Sequence, residues 1–369
     1  MVHKFLNYLN TLADNIEDAL DILTKKYPNI SYKVYDNLVI FKYNSSYGSE
    51  IERSCRGLII DKNTGKIVCH SNEGTIDLES FIEKVDLGKC VIEENLEGTL
   101  INLYHYKSRW NVSTKFCINA ENSKFRGEKS FRQYFDKVCK IDYDALDKNF
   151  TYSFLLQVPE NRLVTKMEKR KLYHIESQNN ITGEKVYCDI GIPKPIVLKL
   201  NNINILKINS YRAINKALSK LDWSKRGFML YSLDRNFRCS LINPAYKAVY
   251  DLIKNQSDLR YLLLESFYYN NNLNDILYYF PEYTKIKDTV VDDVEKLINK
   301  IYDKYLDVYC YKNTDLDTVN GKYKKLLGEI HKLYKINHRN NLLFRIDSDN
   351  VKDVILKQNC PYVYTILYK

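Results

Sequence analysis

The sequence lacks the patterns that mark membrane-spanning, secreted and zinc-binding proteins. Its nine cysteines include no Cys-x-x-Cys pair, which argues against a zinc ribbon or a redox motif. The six histidines are dispersed, so we expect no metal ion held by the protein. No stretch reaches the roughly 20 apolar residues that a membrane helix needs. The first residues show no basic leader before an apolar core, so we expect reduced thiols and a cytoplasmic location.

What is present is a long, basic chain rich in tyrosine. Its 369 residues are enough for two domains with hydrophobic cores. The net charge of +10 suits a polyanionic partner, although a lysine-rich solvated surface gives the same balance. The 32 tyrosines, together with abundant asparagine, lysine and isoleucine, indicate an AT-rich genome such as many large DNA viruses have.

Hydrophobic periodicity predicts both helices and strands. Apolar residues at three- and four-residue steps predict one helix over residues 3–24 and another over 125–148. Alternating runs separated by turn residues predict hairpins within residues 30–42, 58–69 and 100–114. Helical spacing continues beyond residue 246. We therefore predict an α+β protein with a mixed domain at 1–245 and an all-α domain at 246–369.

Five blocks, taken together, resemble the motifs of the covalent nucleotidyltransferases, the superfamily of ATP-dependent RNA and DNA ligases and capping enzymes. Glu94–Thr99 resembles the motif Glu-Lys-x-Asp-Gly-Ser, and Tyr152–Val164 resembles a motif of T-even phage RNA ligases that contains Pro-Glu-Asn-Arg. The other blocks are Arg56-Gly57, Arg226–Tyr231 and Arg238–Tyr246. The resemblance implies a nucleotidyltransferase (ATP-grasp-like ligase) domain of antiparallel sheets with helices, followed by a helical domain as in phage tRNA-repair ligases.

The resemblance also implies chemical groups that this sequence lacks. In the family a lysine attacks the α-phosphate of a nucleotide, other lysines neutralise that phosphate, and carboxylates hold the metal and the ribose. The positions matched to these groups carry other residues: Asn95, Leu155, Arg226, Ser240 and Ile242. An amide nitrogen is no nucleophile, because its lone pair is delocalised into the carbonyl. We therefore predict a pseudoenzyme without catalytic residues or a cofactor.

The remaining basic residues favour a binding role, with RNA or a protein as the partner and no membrane. The candidate nucleic-acid contacts are Arg56, Lys115, Arg162, Lys166, Lys169, Arg170 and Lys171. The lysines at 322, 324 and 325 form a second cluster, which we interpret as a solvated face. Two alternatives stay open. One is an active RNA ligase that uses ATP and Mg²⁺ with Lys89 or Lys115 as a relocated nucleophile, and the other is a structural subunit of a viral complex.

Overall fold

The two halves of the chain differ in secondary structure. The computed structural model describes residues 4–43, 48–186, 188–197, 211–269 and 271–369. They fall into two units, Met1–Asp251 and Leu252–Lys369. The first unit contains antiparallel sheets with helices, and the second is helical. The predicted α+β class is therefore confirmed, while the domain division at residue 245 stays a prediction.

The chain begins with two helices, α1 (Lys4–Asn10) and α2 (Ile16–Lys26). The single helix predicted over residues 3–24 is wrong because Asn15 caps a new helix. Its side-chain oxygen accepts a hydrogen bond from the backbone N–H of Asp18 at 2.9 Å. Asparagine is favoured at such a position because its side chain replaces the missing intrahelical partner. The apolar residues of both helices are buried in one core.

The first sheet is a meander built from two hairpins. Its strands, in the order β1-β2-β3-β4, are β1 (Ile30–Tyr35), β2 (Leu38–Tyr43), β3 (Ile59–Asp61) and β4 (Ile67–Cys69). Residues with positive φ allow the tight turns, namely Asp36 at 51° and Gly65 at 64°. Helix α3 (Glu50–Ser54) precedes β3, and α4 (Leu78–Lys84) follows β4. The strands predicted within residues 30–42 and 58–69 are therefore confirmed.

The second sheet, in the order β10-β9-β8-β6-β7, packs against α5 (Phe131–Val138). Its strands are β6 (Thr99–Tyr106), β7 (Arg109–Thr114), β8 (Phe150–Gln157), β9 (Lys171–Asn179) and β10 (Lys185–Val186). The helix predicted over residues 125–148 is wrong at both ends. Ser130 starts it with a capping box, and after its end the side chains of Asp142 and Asp147 accept backbone N–H groups two residues ahead. Such local bonds favour turns over helix.

The third sheet has the order β12-β11-β5. Its strands are β5 (Val91–Glu94), β11 (Gly227–Tyr231) and β12 (Arg238–Ile242), and α6 (Tyr211–Leu218) precedes β11. In β12 the side chains of Cys239 and Leu241 enter the core of this sheet. Because side chains alternate along a strand, Arg238, Ser240 and Ile242 lie together on the opposite face.

Gly227 fixes the start of β11. Its φ of +133° is reached readily only by glycine. A Cβ atom at this position would lie 2.0 Å from the carbonyl oxygen of Leu241. The carbonyl of Gly227 accepts a hydrogen bond of 3.0 Å from the backbone N–H of Asn95. The glycine therefore lets the backbone after β5 lie close against the start of β11.

From residue 244 onward the described chain is built from helices. They are α7 (Pro244–Ile253), α8 (Leu259–Tyr268), α9 (Leu273–Tyr279), α10 (Thr284–Tyr305), α11 (Gly321–Asn340), α12 (Ser348–Leu356) and α13 (Cys360–Tyr368). Helix α10 continues into a π-helical turn, Leu306–Cys310. The core of the second unit is formed mainly by α10, α11, α12 and α13. Within the described residues, no helix combines the length and the apolar character that crossing a bilayer would require.

Candidate functional site

The motif loop (residues 95–98) connects β5 of the third sheet to β6 of the second. Asn95 is buried in it, with 5% of its surface exposed. Its side-chain Nδ2 donates a hydrogen bond of 2.9 Å to Oγ of Ser240. The resemblance implies a lysine at each of these two positions. Here the two residues form a neutral hydrogen bond with each other, and neither supplies an amine.

Glu97 anchors the motif loop. Its buried carboxylate accepts hydrogen bonds from the backbone N–H groups of residues 163–165 at 2.6, 2.8 and 2.8 Å. It also accepts a bond of 2.8 Å from the hydroxyl of Tyr246. Burial, together with the charge of Glu97, raises the pKa of Tyr246, so this hydroxyl keeps its proton. In addition, Gln157 donates to the backbone carbonyl of Glu97 at 2.8 Å. Glu97 thus connects the motif loop to residues 163–165 and to Tyr246 in helix α7.

Asn243 has a similar structural role at the start of α7. Its Nδ2 donates to the carbonyls of Asp222 and Lys225 at 2.9 and 3.0 Å. Its Oδ1 accepts from the N–H of Ala245 at 3.0 Å. The parts of the motifs that match the family here, Glu97 and the Asn-Pro-Ala-Tyr run, therefore shape the backbone.

Two of the positions that lack family chemistry make the surroundings of the loop apolar. A Cβ atom on Gly98 would lie 2.9 Å from Cγ of Leu155, so this leucine packs against the motif loop. Ile242 lies on the same face of β12 as Ser240. The resemblance implies a carboxylate and a lysine at these two positions. An apolar leucine and isoleucine stand in their place, and the leucine packs against the loop.

Four basic side chains converge beside the loop, and we call them the cation cluster: Arg56, Lys115, Arg226 and Arg238. Burial and the nearby charges of Arg238 and Arg226 lower the pKa of Arg56 to about 9. Burial and the charges of Arg56 and Arg226 lower the pKa of Lys115 to about 8. Among the ion pairs of the described residues, none involves a member of the cluster. Positive charge therefore accumulates here without an acidic partner.

The geometry around Gly57 confirms that part of this cluster is close together. A Cβ atom on Gly57 would lie 3.1 Å from the Cα of Lys115 and 3.1 Å from Oγ of Ser71. The adjacent Arg56 donates from Nη1 to the carbonyl of Asn72 at 2.9 Å. On the other side, Arg238 donates to the carbonyl of Glu73. The segment after β4 therefore lies between two arginines of the cluster.

The other predicted nucleic-acid contacts lie in two different environments. Arg162 is buried, and its Nε donates to the carbonyl of Val164 at 2.9 Å, beside the N–H groups that bind Glu97. The basic run, residues 166–171, connects to β9. Lys166, Lys169 and Lys171 are exposed. Arg170 forms an ion pair with Glu160. Of the seven predicted nucleic-acid contacts, the structure therefore places only Arg56 and Lys115 in the cation cluster.

Sequence reasoning did not single out three residues that now belong to the site. Arg238 lies two residues before Ser240 on the same strand, so the two-residue period of a strand was the signal that could have identified it. Ser71 and Asn72 follow β4, in a segment where the family has basic residues. No local pattern marks them, because only the fold places them beside Arg56 and Gly57.

The residues of this site do not suit a divalent metal ion. Where the resemblance implies carboxylates, the chain has Leu155 and Arg226, which offer no oxygen ligand. The carboxylate of Glu97 is already bonded to three amides and a hydroxyl. Within the part of the chain that the structure describes, no three His, Cys, Asp or Glu side chains are grouped to hold a metal.

Comparisons with known proteins give viral relatives, although no family model matches the chain. It is 24% identical over 276 residues to an immediate-early protein ICP-46 homolog of invertebrate iridescent virus 3, covering 69% of this chain and 60% of that protein. It is 22% identical over 318 residues to a "putative bifunctional polynucleotide kinase/RNA ligase" of Autographa californica nuclear polyhedrosis virus, covering 79% of this chain and 44% of that protein. The chain thus spans less than two thirds of the length of either relative.

An archaeal ATP-dependent RNA ligase (form 2) is similar in structure with a TM-score of 0.44 and 7% identity, covering 71% of this chain and 68% of that one. This likeness is too distant to carry weight by itself. The sequence relatives support the predicted resemblance to the ligase family and the predicted viral source.

We expect Glu97→Gln to destabilise the first unit by about 2–4 kcal/mol, because it removes the charge that several hydrogen bonds share and places an NH₂ group among N–H donors. Urea unfolding followed by tryptophan fluorescence measures this, since Trp110 and Trp223 both lie in that unit. Glu94→Gln is the control, because the side chain of Glu94 forms an ion pair with the exposed Lys225 at 3.3 Å. Equal effects of the two substitutions would contradict the anchoring role.

We expect Lys115→Met to stabilise the protein by about 1–2 kcal/mol at pH 7, because it removes a charged amine that is costly to bury and that is repelled by the other cations of the cluster. The folded-state pKa of Lys115, about 8, is below the unfolded value of roughly 10.4. Between these values the unfolded state binds more protons, so wild-type stability rises relative to the variant and the difference disappears. Urea unfolding at pH 7, 9 and 10 tests this, with Lys225→Met as the control. A pH-independent difference would contradict a lowered pKa of Lys115.

Proposed function

We propose that this chain is a catalytically inactive, ligase-like viral protein that binds RNA in the cytoplasm of its host. The observation that carries the proposal is the hydrogen bond between Asn95 and Ser240. It joins the two places where the resemblance implies the nucleophile and a phosphate-neutralising lysine. Asn95 is buried in the motif loop and Ser240 is half-buried on β12, so the bond is a packed part of the fold.

The missing groups act at different stages of the family reaction. Formation of the covalent intermediate needs an amine with a free lone pair, which the Asn95 amide cannot offer. Stabilising the charge that develops on the phosphate needs oriented cations or a metal. Charge-assisted hydrogen bonds contribute about 1.5–3 kcal/mol each, so losing several of them would reduce nucleotide activation severely even with a substitute nucleophile.

Binding of RNA is supported by the distribution of positive charge. The cation cluster has no acidic partner within the described residues, and the exposed lysines of the basic run add a second positive surface in the same unit. RNA phosphates bind such surfaces with release of counterions. A protein that only served as a scaffold would have no need of unpaired, partly buried cations, which are costly to keep.

A second candidate function is nucleotidyl transfer by Lys115. The lowered pKa of this lysine favours it, because a neutral amine is the reactive form. Lys89, the other lysine considered from the sequence, is exposed in a turn before β5. It precedes Asn95 by the full length of that strand. Of the two, Lys115 is therefore the residue that a catalytic alternative would use.

We expect no covalent labelling of the wild-type protein or of Asn95→Lys with α-labelled ATP or GTP and a divalent metal. The added lysine alone is insufficient, because Leu155, Arg226, Ser240 and Ile242 still lack the accompanying groups. Labelling is read on a denaturing gel, beside an ATP-dependent RNA ligase as a positive control. A labelled wild-type band that disappears in Lys115→Gln would replace this proposal by the catalytic alternative.

We expect single-stranded RNA to bind with an affinity that falls steeply with salt. Replacing Lys166, Lys169 and Lys171 together by glutamine should reduce the slope of log K against log salt by about 2, since each phosphate contact contributes roughly 0.7. Replacing Lys322, Lys324 and Lys325 by glutamine makes the same change of charge in the second unit, where Lys322 and Lys324 bond to Ile366 and Asp317, and should leave the slope unchanged. Fluorescence anisotropy measures both. No affinity even at low salt would favour the structural-subunit alternative.

A further inference from the structure

We infer that the cation cluster and the adjacent Ser71 and Asn72 form a metal-independent site for a terminal phosphate group. Its ligand would be a phosphomonoester, carried either by an RNA end or by a free nucleotide. The inference rests on the proposed function, because it names the part of the RNA that this site would recognise. It also gives Arg226 a role that the family resemblance does not provide.

The arginines of the cluster are oriented, yet most of their donors are unused. Arg56 donates to the carbonyl of Asn72, Arg226 to that of Leu96 at 3.4 Å, and Arg238 to that of Glu73. A guanidinium has five N–H donors in a fixed plane. One carbonyl bond therefore holds each side chain in place and leaves other N–H groups available to a ligand.

Buried polar atoms without partners lie around the same place. The Nε of Arg238, the Oγ of Ser71 and both side-chain polar atoms of Asn72 are buried and unpaired among the described residues. Ser71 and Asn72 expose only 6% and 2% of their surfaces. Leaving a buried donor or acceptor unsatisfied costs about 1–3 kcal/mol. Several such atoms lie beside one charged cluster, so a polar ligand that bonds to them would offset this cost.

The chemistry of these groups selects a phosphomonoester. Such a group carries about −1.5 to −2 charge at neutral pH and three strong acceptor oxygens, so it can bond several guanidinium groups at once. A backbone phosphodiester has a single charge and would compensate the four cations less well. The unpaired Oδ1 of Asn72 needs a donor, and a hydroxyl beside the phosphate, as in a ribose, supplies one.

The charge of Arg226 removes the need for a metal ion. At a position where the resemblance implies a carboxylate, a guanidinium repels a divalent cation and neutralises phosphate directly. Burial lowers the pKa values of Arg56 and Lys115, and the nearby cations add to this effect. A bound anion would relieve the repulsion among these cations. Binding should therefore be insensitive to chelators, in contrast to a site that holds its phosphate through Mg²⁺.

The test compares short single-stranded RNAs that carry a 5′-phosphate, a 3′-phosphate or only hydroxyl ends, in excess EDTA, by fluorescence anisotropy. We expect a phosphate-ended RNA to bind about tenfold more tightly than the hydroxyl-ended one, as expected from one additional charge-assisted contact. Arg226→Gln should abolish this preference. Lys225→Gln, with the same change of charge one residue away, should keep it.

Thermal unfolding shows whether Arg226→Gln is folded, and a competition on the wild-type protein makes the test independent of the variant. Inorganic phosphate should displace phosphate-ended RNA and leave hydroxyl-ended RNA bound. AMP that binds in EDTA when no RNA does would support the site with a nucleotide as its source, and would overturn the proposed RNA function. RNA binding without preference for a terminal phosphate would overturn this inference alone. Absence of all binding would overturn both.

Discussion

The buried carboxylate of Glu97 accepts hydrogen bonds from three consecutive backbone amides and from the Tyr246 hydroxyl. These bonds connect the motif loop to residues 163–165 and to helix α7. A carboxylate buried without such donors would be costly by several kcal/mol. The arrangement therefore persists only if all three segments hold their positions together. The position of Asn95, two residues earlier in the motif loop, depends on this constraint.

The fold separates residues that shape the backbone from residues that would perform chemistry. Glu97, Gly227 and Asn243 satisfy backbone groups or permit close approach, and they match or neighbour the family motifs. Asn95 and Ser240 instead satisfy each other. A neutral hydrogen bond of this kind stabilises by about 1 kcal/mol and avoids placing a lysine next to an already positive cluster. The loss of chemical groups is thus compatible with a well-packed interior.

Sequence reasoning predicted the strands and hairpins because their alternation and turn residues act over a few positions. It was wrong on two helices, where Asn15 and the aspartates after α5 form local bonds that interrupt an apolar period. The five positions at which chemical groups are predicted to be lost came from comparison with the motifs and stay a prediction. The contact between Asn95 and Ser240 spans 145 residues, and the approach of Ser71 to Gly57 crosses two strands, so neither follows from local pattern. Both contacts are determined by long-range packing.

An arginine in place of a carboxylate changes what a phosphate pocket can do. Catalysis requires that the transition state bind more strongly than the ground state. A ligase achieves this with a nucleophile in line with the phosphorus and a metal that takes up developing charge. A cluster of fixed guanidinium groups binds the phosphate already present, with no group that bonds more strongly as the reaction proceeds. Such a site is suited to holding a phosphate end, and Arg226 makes it so without the need for a metal.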